Sequence, residues 1–247
     1  MKVTVITVCF NRVATIEYSI QSVLEQDYTN IEYIVIDGNS NDGTQDVIQK
    51  YTDQIDHYIS EPDKGMYDAI NKGFKLASGD IVGLLHSDDE FYENSTISKI
   101  IETIKRNKTL DGVYGDGLYV SNDAKESIVR RKIGGSFERS KIKKGWLPLH
   151  TTVFLKIAEL NDGYYNLDYK IASDTDFLLR YLYQHDLKLG YLDTYITKMR
   201  VGGFSTSFKH AVKVLKEDWI IYKRNGLNPL QSVLRKKLLA LSQYINK

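Results

Sequence analysis

The segment Gly83-Leu84-Leu85-His86-Ser87-Asp88-Asp89-Glu90 completes an apolar run that begins at Ile81. A short apolar run bounded by polar residues is typical of a buried strand. Two adjacent carboxylates at the end of such a strand cannot stay both buried and ionised without a partner. At the carboxyl edge of an α/β sheet, the natural partner is a divalent cation that holds a phosphate-bearing ligand. A polar turn that caps a helix starting near Asn94 is the alternative interpretation.

Length and composition limit the class of protein. The chain has 247 residues, a length that suits one large domain with an extension. Its formal net charge of +1 gives no indication of a nucleic-acid partner. Cys9 is the only cysteine, so an intrachain disulfide is excluded and we expect a reducing, cytoplasmic setting. No apolar run approaches the roughly 18 residues that a membrane-spanning helix needs.

Strand and helix patterns alternate through residues 1–90. Apolar runs at 3–8, 33–36 and 57–60, and the run that ends at Asp88, predict four strands, with a helix after each of the first three. This alternation predicts an α/β fold with a mostly parallel central sheet and right-handed crossovers. The polar loops after the first, second and fourth strands then lie at the carboxyl edge of the sheet, where open α/β sheets bind ligands.

The following residues carry three further features. The basic segment at 123–144 predicts a hairpin or mobile loop, which is either a solvated face or a surface that attracts an anionic substrate. A strand is predicted at 149–155, where a lone His150 is more often structural than catalytic. Asp174 and Asp176 lie at the start of a helix, so one of them is expected to cap that helix while the other is available for chemistry.

Basic and apolar side chains concentrate together at the end of the chain. From Lys209 to Lys247, nine lysines or arginines oppose only Glu217 and Asp218, which makes this region about +7. After a strand pair at 190–200 and a loop at 202–207, two helices are predicted. A basic amphipathic tail suits an anionic membrane surface, and a helix packed on the domain with a solvated basic face is the alternative.

Five segments, taken in order, carry a resemblance to a known family. They are Thr4–Asn11 (TVITVCFN), Val35–Thr44 (VIDGNSNDGT), Glu61–Gly73 (EPDKGMYDAINKG), Asp88-Asp89 and Ala172–Arg180 (ASDTDFLLR). Each segment alone is a weak signal, but their order and spacing are specific. Together they resemble the large second family of inverting glycosyltransferases, which have the GT-A fold. The third and fifth segments are most similar to the colanic-acid-type branch, which builds bacterial surface polysaccharides.

The resemblance implies a site for a nucleotide-sugar donor. Val8, Phe10 and Asn11 would line the base and ribose. Asp37 would hydrogen-bond the uracil or ribose, and Lys64 would contact the base or a phosphate. These assignments place the donor in residues 1–90.

The resemblance also implies a metal and a catalytic base. His86 stands at the first position of the family's Asp-x-Asp motif, which leaves Asp88 and Asp89 to contact the ribose and a Mn²⁺ or Mg²⁺ ion. Which of the two is the direct ligand stays open. Asp174 would be the general base, with Asp176 as its rival, and His150 and Asp176 are candidates on the acceptor side.

The combined prediction is a GT-A catalytic domain at 1–207 and a basic amphipathic helical tail at 208–247. Residues 1–90 would bind the nucleotide sugar and residues 91–207 the acceptor. The expected activity is metal-dependent, inverting transfer of a hexosyl or N-acetylhexosaminyl group from a UDP-sugar to a glycan or lipid-linked acceptor. It would take place in the cytoplasm, with the tail as a candidate contact with the inner face of the membrane.

Two other functions compete with this prediction. A nucleotidyltransferase shares the sheet and a metal–diphosphate site, but it needs a glycine-rich basic loop after the first strand, where this chain has Cys9-Phe10-Asn11-Arg12. A non-catalytic nucleotide-binding protein with a decayed site is the other alternative, and His86 is the residue that favours it.

Overall fold

The computed structural model describes residues 1–123, 126–201 and 208–245. Strands are β1 Val3–Cys9, β2 Ile31–Asp37, β3 His57–Ser60, β4 Ile81–Leu84, β5 Asp89–Phe91, β6 Gly112–Val120, β7 Ile128–Lys132, β8 Phe154–Lys156 and β9 Leu189–Arg200. Helices are α1 Ile16–Leu24, α2 Thr44–Gln49, α3 Met66–Leu76, α4 Thr96–Arg106, α5 Arg139–Ile142, α6 Ser173–Leu179, α7 Phe208–Arg224 and α8 Pro229–Ile245. The predicted loop at 202–207 and the domain boundary after it lie outside the described residues.

One sheet organises the described part of the chain, with the strand order β3-β2-β1-β4-β8-β6-β9-β5 and β7 paired to β6. The first four of these strands are parallel, so the predicted strand–helix alternation and the α/β fold are confirmed. Beyond β4 the sheet is mixed, since β8 is antiparallel to both β4 and β6 while β9 is parallel to β6. The prediction of a mostly parallel sheet therefore holds only for the half that residues 1–90 form.

The central strands are buried on both faces, which is why they read as unbroken apolar runs. Val5 packs into the core layer that contains residues of α1 and α4, whereas Ile6 and Val8 pack into the layer that contains residues of α3 and α6. Alternate side chains of one strand point to opposite faces, so β1 contributes to both layers.

Two predicted strands differ in the structure. Residues His150–Thr152 form a 3₁₀ turn before the short β8, because the Thr152 hydroxyl donates to the carbonyls of Leu149 and Gly115. The predicted strand pair at 190–200 is one strand, β9, whose pairing with β6 shifts register around Asp116. In the basic segment, β7 forms a hairpin with β6, as predicted.

Helices α7 and α8 pack on the rest of the fold. Ile221 and Tyr222 are fully buried in the same core layer as α3 and α6, and α8 packs against β7. On the outside the helices expose large apolar side chains, which include Trp219, Ile220, Leu230, Leu234 and Leu238. Each helix that the structure describes is too short or too polar to cross a lipid bilayer.

Candidate active site

The loops after β1 and β2 are joined at the carboxyl edge of the sheet. Asn11 has a φ of 53°, a left-handed conformation that asparagine tolerates better than most residues. In this conformation its N–H donates to Ser40 Oγ at 2.8 Å, and its side-chain Oδ1 accepts from the N–H of Asn41 at 3.0 Å. These bonds hold Asn11 and the neighbouring Phe10 in a defined position, and the Phe10 ring is 57% exposed.

Asp37 lies beneath these loops and is fully buried. Its Oδ2 accepts from the N–H of Ser40 at 3.0 Å and from the hydroxyl of Ser60 at 2.6 Å, and its Oδ1 accepts from Ser40 Oγ. The carboxylate thus joins the loops after β2 and β3. A direct bond to a nucleotide, as the sequence predicted, would require one of these serines to move.

Gly38 lies close to Phe10 and to the loop after β3. A Cβ atom at Gly38 would stand 2.6 Å from Asp63 Oδ2 and 3.3 Å from the Phe10 ring. The loop after β3 therefore brings Asp63 next to the predicted donor residues. Lys64, the next residue, is exposed, and its backbone N–H donates to Asp68 Oδ2 at 2.9 Å. Val8 is buried in β1 and supports this loop from below.

A second cluster connects the two halves of the sheet. His86, which follows β4, has its Nε2 atom 3.0 Å from Nε2 of His150. The other ring nitrogen of His150, Nδ1, lies 3.5 Å from Oδ2 of Asp174 at the start of α6. The 3₁₀ turn at His150 and the end of β4 thus place two imidazole rings and one carboxylate in a row.

Both imidazoles are held neutral. Burial, followed by the neighbouring His150, lowers the pKa of His86 to about 3. Burial also lowers the pKa of His150, and the nearby Asp174 carboxylate only partly opposes this effect. A neutral His150 with its proton on Nδ1 can donate to Asp174, and its Nε2 then accepts from His86.

Asp174 and Asp176 occupy different environments. The Asp174 side chain is 30% exposed, and its Oδ1 lies 3.3 Å from the hydroxyl of Tyr67 in α3. Burial and the Asp174 charge raise the pKa of Tyr67, which keeps its proton as a donor. Asp176 is buried and pairs with Arg180 one turn later, with Oδ2 and Nε 3.0 Å apart. Asp174 is the carboxylate of this pair that a ligand can reach.

Asp88 and Asp89 follow His86 in the sequence but differ in burial. Asp88 is half-buried, whereas Asp89 is buried in β5, and no hydrogen bond or ion pair within the described residues involves its carboxylate. Burial, and then the charges of Asp88 and Glu90, raise the pKa of Asp89 well above its usual range. A buried carboxylate without a partner suits a cation ligand.

The described residues around Asp88 and Asp89 supply only part of a metal site. In the described part of the chain, no three His, Cys, Asp or Glu side chains gather into a ligand set. Mg²⁺ is commonly held by one or two carboxylates together with substrate phosphates, and Asp88 and Asp89 fit that pattern. A cation here would therefore depend on the diphosphate of a bound ligand.

Sequence reasoning missed several residues around Asp174. Burial and the charges of Lys236 and Arg130 lower the pKa of Lys132 in β7 to about 8, while Asp174 opposes the effect. Lys236 in α8 donates to Thr175, the residue after Asp174. Tyr67 was visible only as part of the third segment of the resemblance. Lys236 had no signal beyond the general basic character of the tail.

Comparison with known proteins assigns the family. The model described as glycosyl transferase family 2 matches residues 4–157, which is more than half of the chain. An uncharacterized glycosyltransferase of Mycobacterium tuberculosis is 33% identical over 181 residues, which cover 72% of this chain and 68% of the relative. The residues that the family model matches include β2 to β8 and all but the first residue of β1. They therefore include the loops after β1, β2 and β4.

Solved structures show the same fold. S. aureus TarS 1-349 in complex with UDP-GlcNAc matches with a TM-score of 0.68 and 18% identity, over 97% of this chain and 72% of that chain. The mannosyltransferase PcManGT from Pyrobaculum calidifontis, in complex with GDP-Man and Mn²⁺, also has a TM-score of 0.68, with 16% identity over 98% of this chain and 70% of that chain. The protein has the GT-A fold, and the chain belongs to glycosyl transferase family 2.

Proposed function

We propose that the protein is a metal-dependent, inverting glycosyltransferase that transfers a hexosyl or N-acetylhexosaminyl group from a UDP-sugar. Its acceptor would be a glycan or a lipid-linked sugar in bacterial surface polysaccharide synthesis, as in the colanic-acid-type branch. The observation that carries the proposal is the accessible Asp174 carboxylate, which Tyr67 and His150 orient beside the loop that carries His86 and Asp88.

Asp174 would act as the general base. Its carboxylate takes the proton from an acceptor hydroxyl, whose oxygen attacks the anomeric carbon on the face opposite the departing nucleoside diphosphate. The new bond forms as the old one breaks, so the configuration inverts and no covalent intermediate forms. His150 and Tyr67 keep the carboxylate aimed through contacts at 3.5 and 3.3 Å. Asp176 is unsuited to this role because it is buried against Arg180.

Asp88 and Asp89 would hold Mn²⁺ or Mg²⁺ together with the donor diphosphate. When bound, the cation supplies positive charge where negative charge accumulates on the leaving group. The exposed ring of Phe10 offers a flat face for the base, and Asn11 lies beside it. Asp63 is added to the predicted donor residues because it lies against Gly38 and Phe10. Only the family resemblance of the sequence favours UDP over GDP as the nucleotide of the donor. Of the two structural neighbours, one binds UDP-GlcNAc and the other binds GDP-Man.

The acceptor side would favour an anionic, membrane-associated substrate. Lys132 lies close enough to Asp174 for the two charges to interact, which suits an acceptor that carries phosphate. The outer face of α7 and α8 combines exposed apolar side chains with basic residues, which fits the surface of an anionic bilayer. Those side chains are Trp219, Ile220, Leu230, Leu234 and Leu238, with Lys216, Lys223 and Lys237 among the exposed cations. The setting would be the cytoplasmic face of the membrane.

A panel of nucleotide sugars, incubated with the protein and Mn²⁺, tests the proposal. Release of a nucleoside diphosphate from one donor, which depends on the cation, is the expected result. Release of a sugar 1-phosphate, with the nucleoside monophosphate group transferred to an acceptor, would identify a nucleotidyltransferase instead. Binding without turnover of any donor, with glycan and lipid-linked acceptors present, would identify a non-catalytic nucleotide-binding protein.

A further inference from the structure

We propose that the C-terminal helices are part of the catalytic centre, because they hold the Asp174 segment from both sides, and that Glu217 is the positioning residue of this arrangement. The proposal deepens the proposed function and rests on the role of Asp174 as the base. It gives the tail a task beyond contact with a membrane.

Glu217 holds the chain immediately before Asp174. This residue of α7 is 9% exposed, and its carboxylate accepts three backbone hydrogen bonds. Oε1 accepts from the N–H of Lys170 at 3.0 Å, and Oε2 accepts from those of Ile171 and Ala172, each at 2.9 Å. Hydrogen bonds to an ionised acceptor are about twice as strong as neutral ones. One side chain therefore determines the path of the loop that enters α6.

Asp218 and Lys236 hold the chain immediately after Asp174. Lys236 Nζ lies 2.8 and 2.9 Å from the two carboxylate oxygens of Asp218 and 2.9 Å from Oγ1 of Thr175. The Asp218 side chain is 3% exposed and that of Lys236 is 34% exposed, so only the Asp218 end of the ion pair is removed from water. Both helices thus contribute to the same contact, which fixes the first turn of α6 against the tail.

Asp174 lies between these two contacts. The Tyr67 hydroxyl donates to the carbonyl of Ile171 at 2.7 Å, which connects the same loop to α3 in the donor half. The contact between Asp174 and His150 is 3.5 Å long, so a small shift of the loop would break it. Misplacement of a reacting group by about 1 Å can lower a rate by about 10²-fold.

The test uses Glu217→Ala and Glu217→Gln in the full chain. The alanine variant leaves three backbone N–H groups without their acceptor, whereas the glutamine variant keeps one acceptor oxygen. If the alanine variant fails to fold, the glutamine variant alone is used for the measurements. Glu32→Gln is the matched control. Glu32 is also a buried carboxylate with several hydrogen bonds, but it lies at the amino-terminal end of β2, where it bonds Lys2, Thr4 and Ser78. The control loses thermal stability without touching the Asp174 loop.

Two readouts separate positioning from general stability. For the nucleotide sugar that turns over in the panel, Glu217→Gln should lower kcat by about 10-fold and Glu217→Ala by more, with KM for the donor changed less than about 2-fold. The imidazole ¹⁵N resonances of His150 are assigned as those that disappear in His150→Asn. These resonances should shift in both Glu217 variants and stay unchanged in Glu32→Gln.

The outcomes are distinct. Wild-type kcat and an unshifted His150 signal in the Glu217 variants, with a melting temperature lowered as in Glu32→Gln, would overturn the proposal. The result expected is a lower kcat and a shifted signal in the Glu217 variants only. Where the wild-type protein turns over no donor, the proposed function fails, and the His150 resonance alone decides whether Glu217 positions the Asp174 loop.

Discussion

Nδ1 of His150 lies 3.5 Å from Oδ2 of Asp174, while Nε2 of the same ring lies 3.0 Å from Nε2 of His86. Both rings are neutral because burial lowers the pKa of each imidazole. The arrangement places a ring nitrogen of a neutral imidazole beside Asp174 without adding a positive charge. The Asp174 side chain is 30% exposed, so the carboxylate is accessible, as a general base requires.

Asp174→Asn should lower turnover by about 10²-fold or more, because the amide cannot accept the proton of the acceptor hydroxyl. UDP binding should stay nearly intact, since the proposed role of Asp174 is to take a proton from the acceptor and not to bind the donor. Asp176→Asn is the matched variant, and it should mainly lower thermal stability because Arg180 loses its buried carboxylate partner while it keeps the carbonyls of Asp162, Gly163 and Tyr164. Steady-state kinetics with isothermal titration of UDP measure both effects. Survival of activity in Asp174→Asn with its loss in Asp176→Asn would reverse the assignment.

His150→Asn should keep more activity than His150→Gln. The side-chain amide nitrogen of asparagine occupies nearly the position of the imidazole Nδ1, whereas that of glutamine reaches nearly the position of Nε2. Only the first therefore preserves the donor that faces Asp174. We expect a loss in kcat of about 10-fold or more for the glutamine variant, within the range that positioning effects reach. Equal activities of the two variants would contradict a role for the Nδ1 contact.

Asp88→Asn and Asp89→Asn should each reduce the rise in melting temperature that Mn²⁺ and UDP produce together. A ligand that binds the folded state stabilises it by mass action, so a weaker site gives a smaller rise. Without the cation, Asp89→Asn should not destabilise the protein, because its buried carboxylate has a raised pKa and gains nothing from ionisation. Thermal shift measurements with and without Mn²⁺ check both statements. A full Mn²⁺-dependent rise in both variants would place the cation elsewhere.

Glu32 should make the protein sensitive to acid. Burial alone raises the pKa of Glu32, but hydrogen bonds from Lys2, Ser78 and Thr4 outweigh it and lower the pKa to about 2, from 4.5 in the unfolded chain. The unfolded state therefore binds a proton first, so the contribution is present above pH 4.5 and disappears as the pH falls to about 2. It amounts to about 3 kcal/mol. Urea unfolding across this range should show a shallower pH dependence for Glu32→Gln than for the wild type.

Leu234→Glu combined with Leu238→Glu should release the protein from anionic vesicles. Both leucines lie on the outer face of α8, with exposures of 55% and 63%, so the substitutions leave the core intact. Deletion of α8 is a poorer test because it also removes Lys236 from Asp218 and Thr175. Vesicle flotation at low salt measures the binding, with neutral vesicles as the control. Unchanged flotation of the double variant would exclude this face as the membrane contact.

The strands and helices of residues 1–90 could be predicted from the sequence because their signals are local. β1 and β2 are continuous apolar runs, and each ends at a polar loop that the parallel sheet brings to one edge. The position of His150 could not be predicted in the same way. Its apolar surroundings resemble a strand, whereas side-chain bonds of Thr152 turn the backbone into a 3₁₀ turn.

The contacts around Asp174 depend on distant parts of the chain. Glu217 and Lys236 follow Asp174 by more than forty residues, and nothing in the local pattern of α7 or α8 marks them as partners of the α6 loop. The pairing of His86 with His150 likewise depends on β4 and β8 being neighbours in the sheet. Sequence reasoning therefore singled out Asp174 as a candidate but not the distant side chains that contact its loop.

The stereochemistry of donor turnover tests the central claim most directly. Proton NMR follows the first sugar released or transferred from an α-linked UDP-sugar in the presence of Mn²⁺. The account predicts UDP as the other product and a sugar of β configuration, formed by the wild type and lost in Asp174→Asn. A product that retains the α configuration, or a sugar 1-phosphate in place of UDP, would contradict the account.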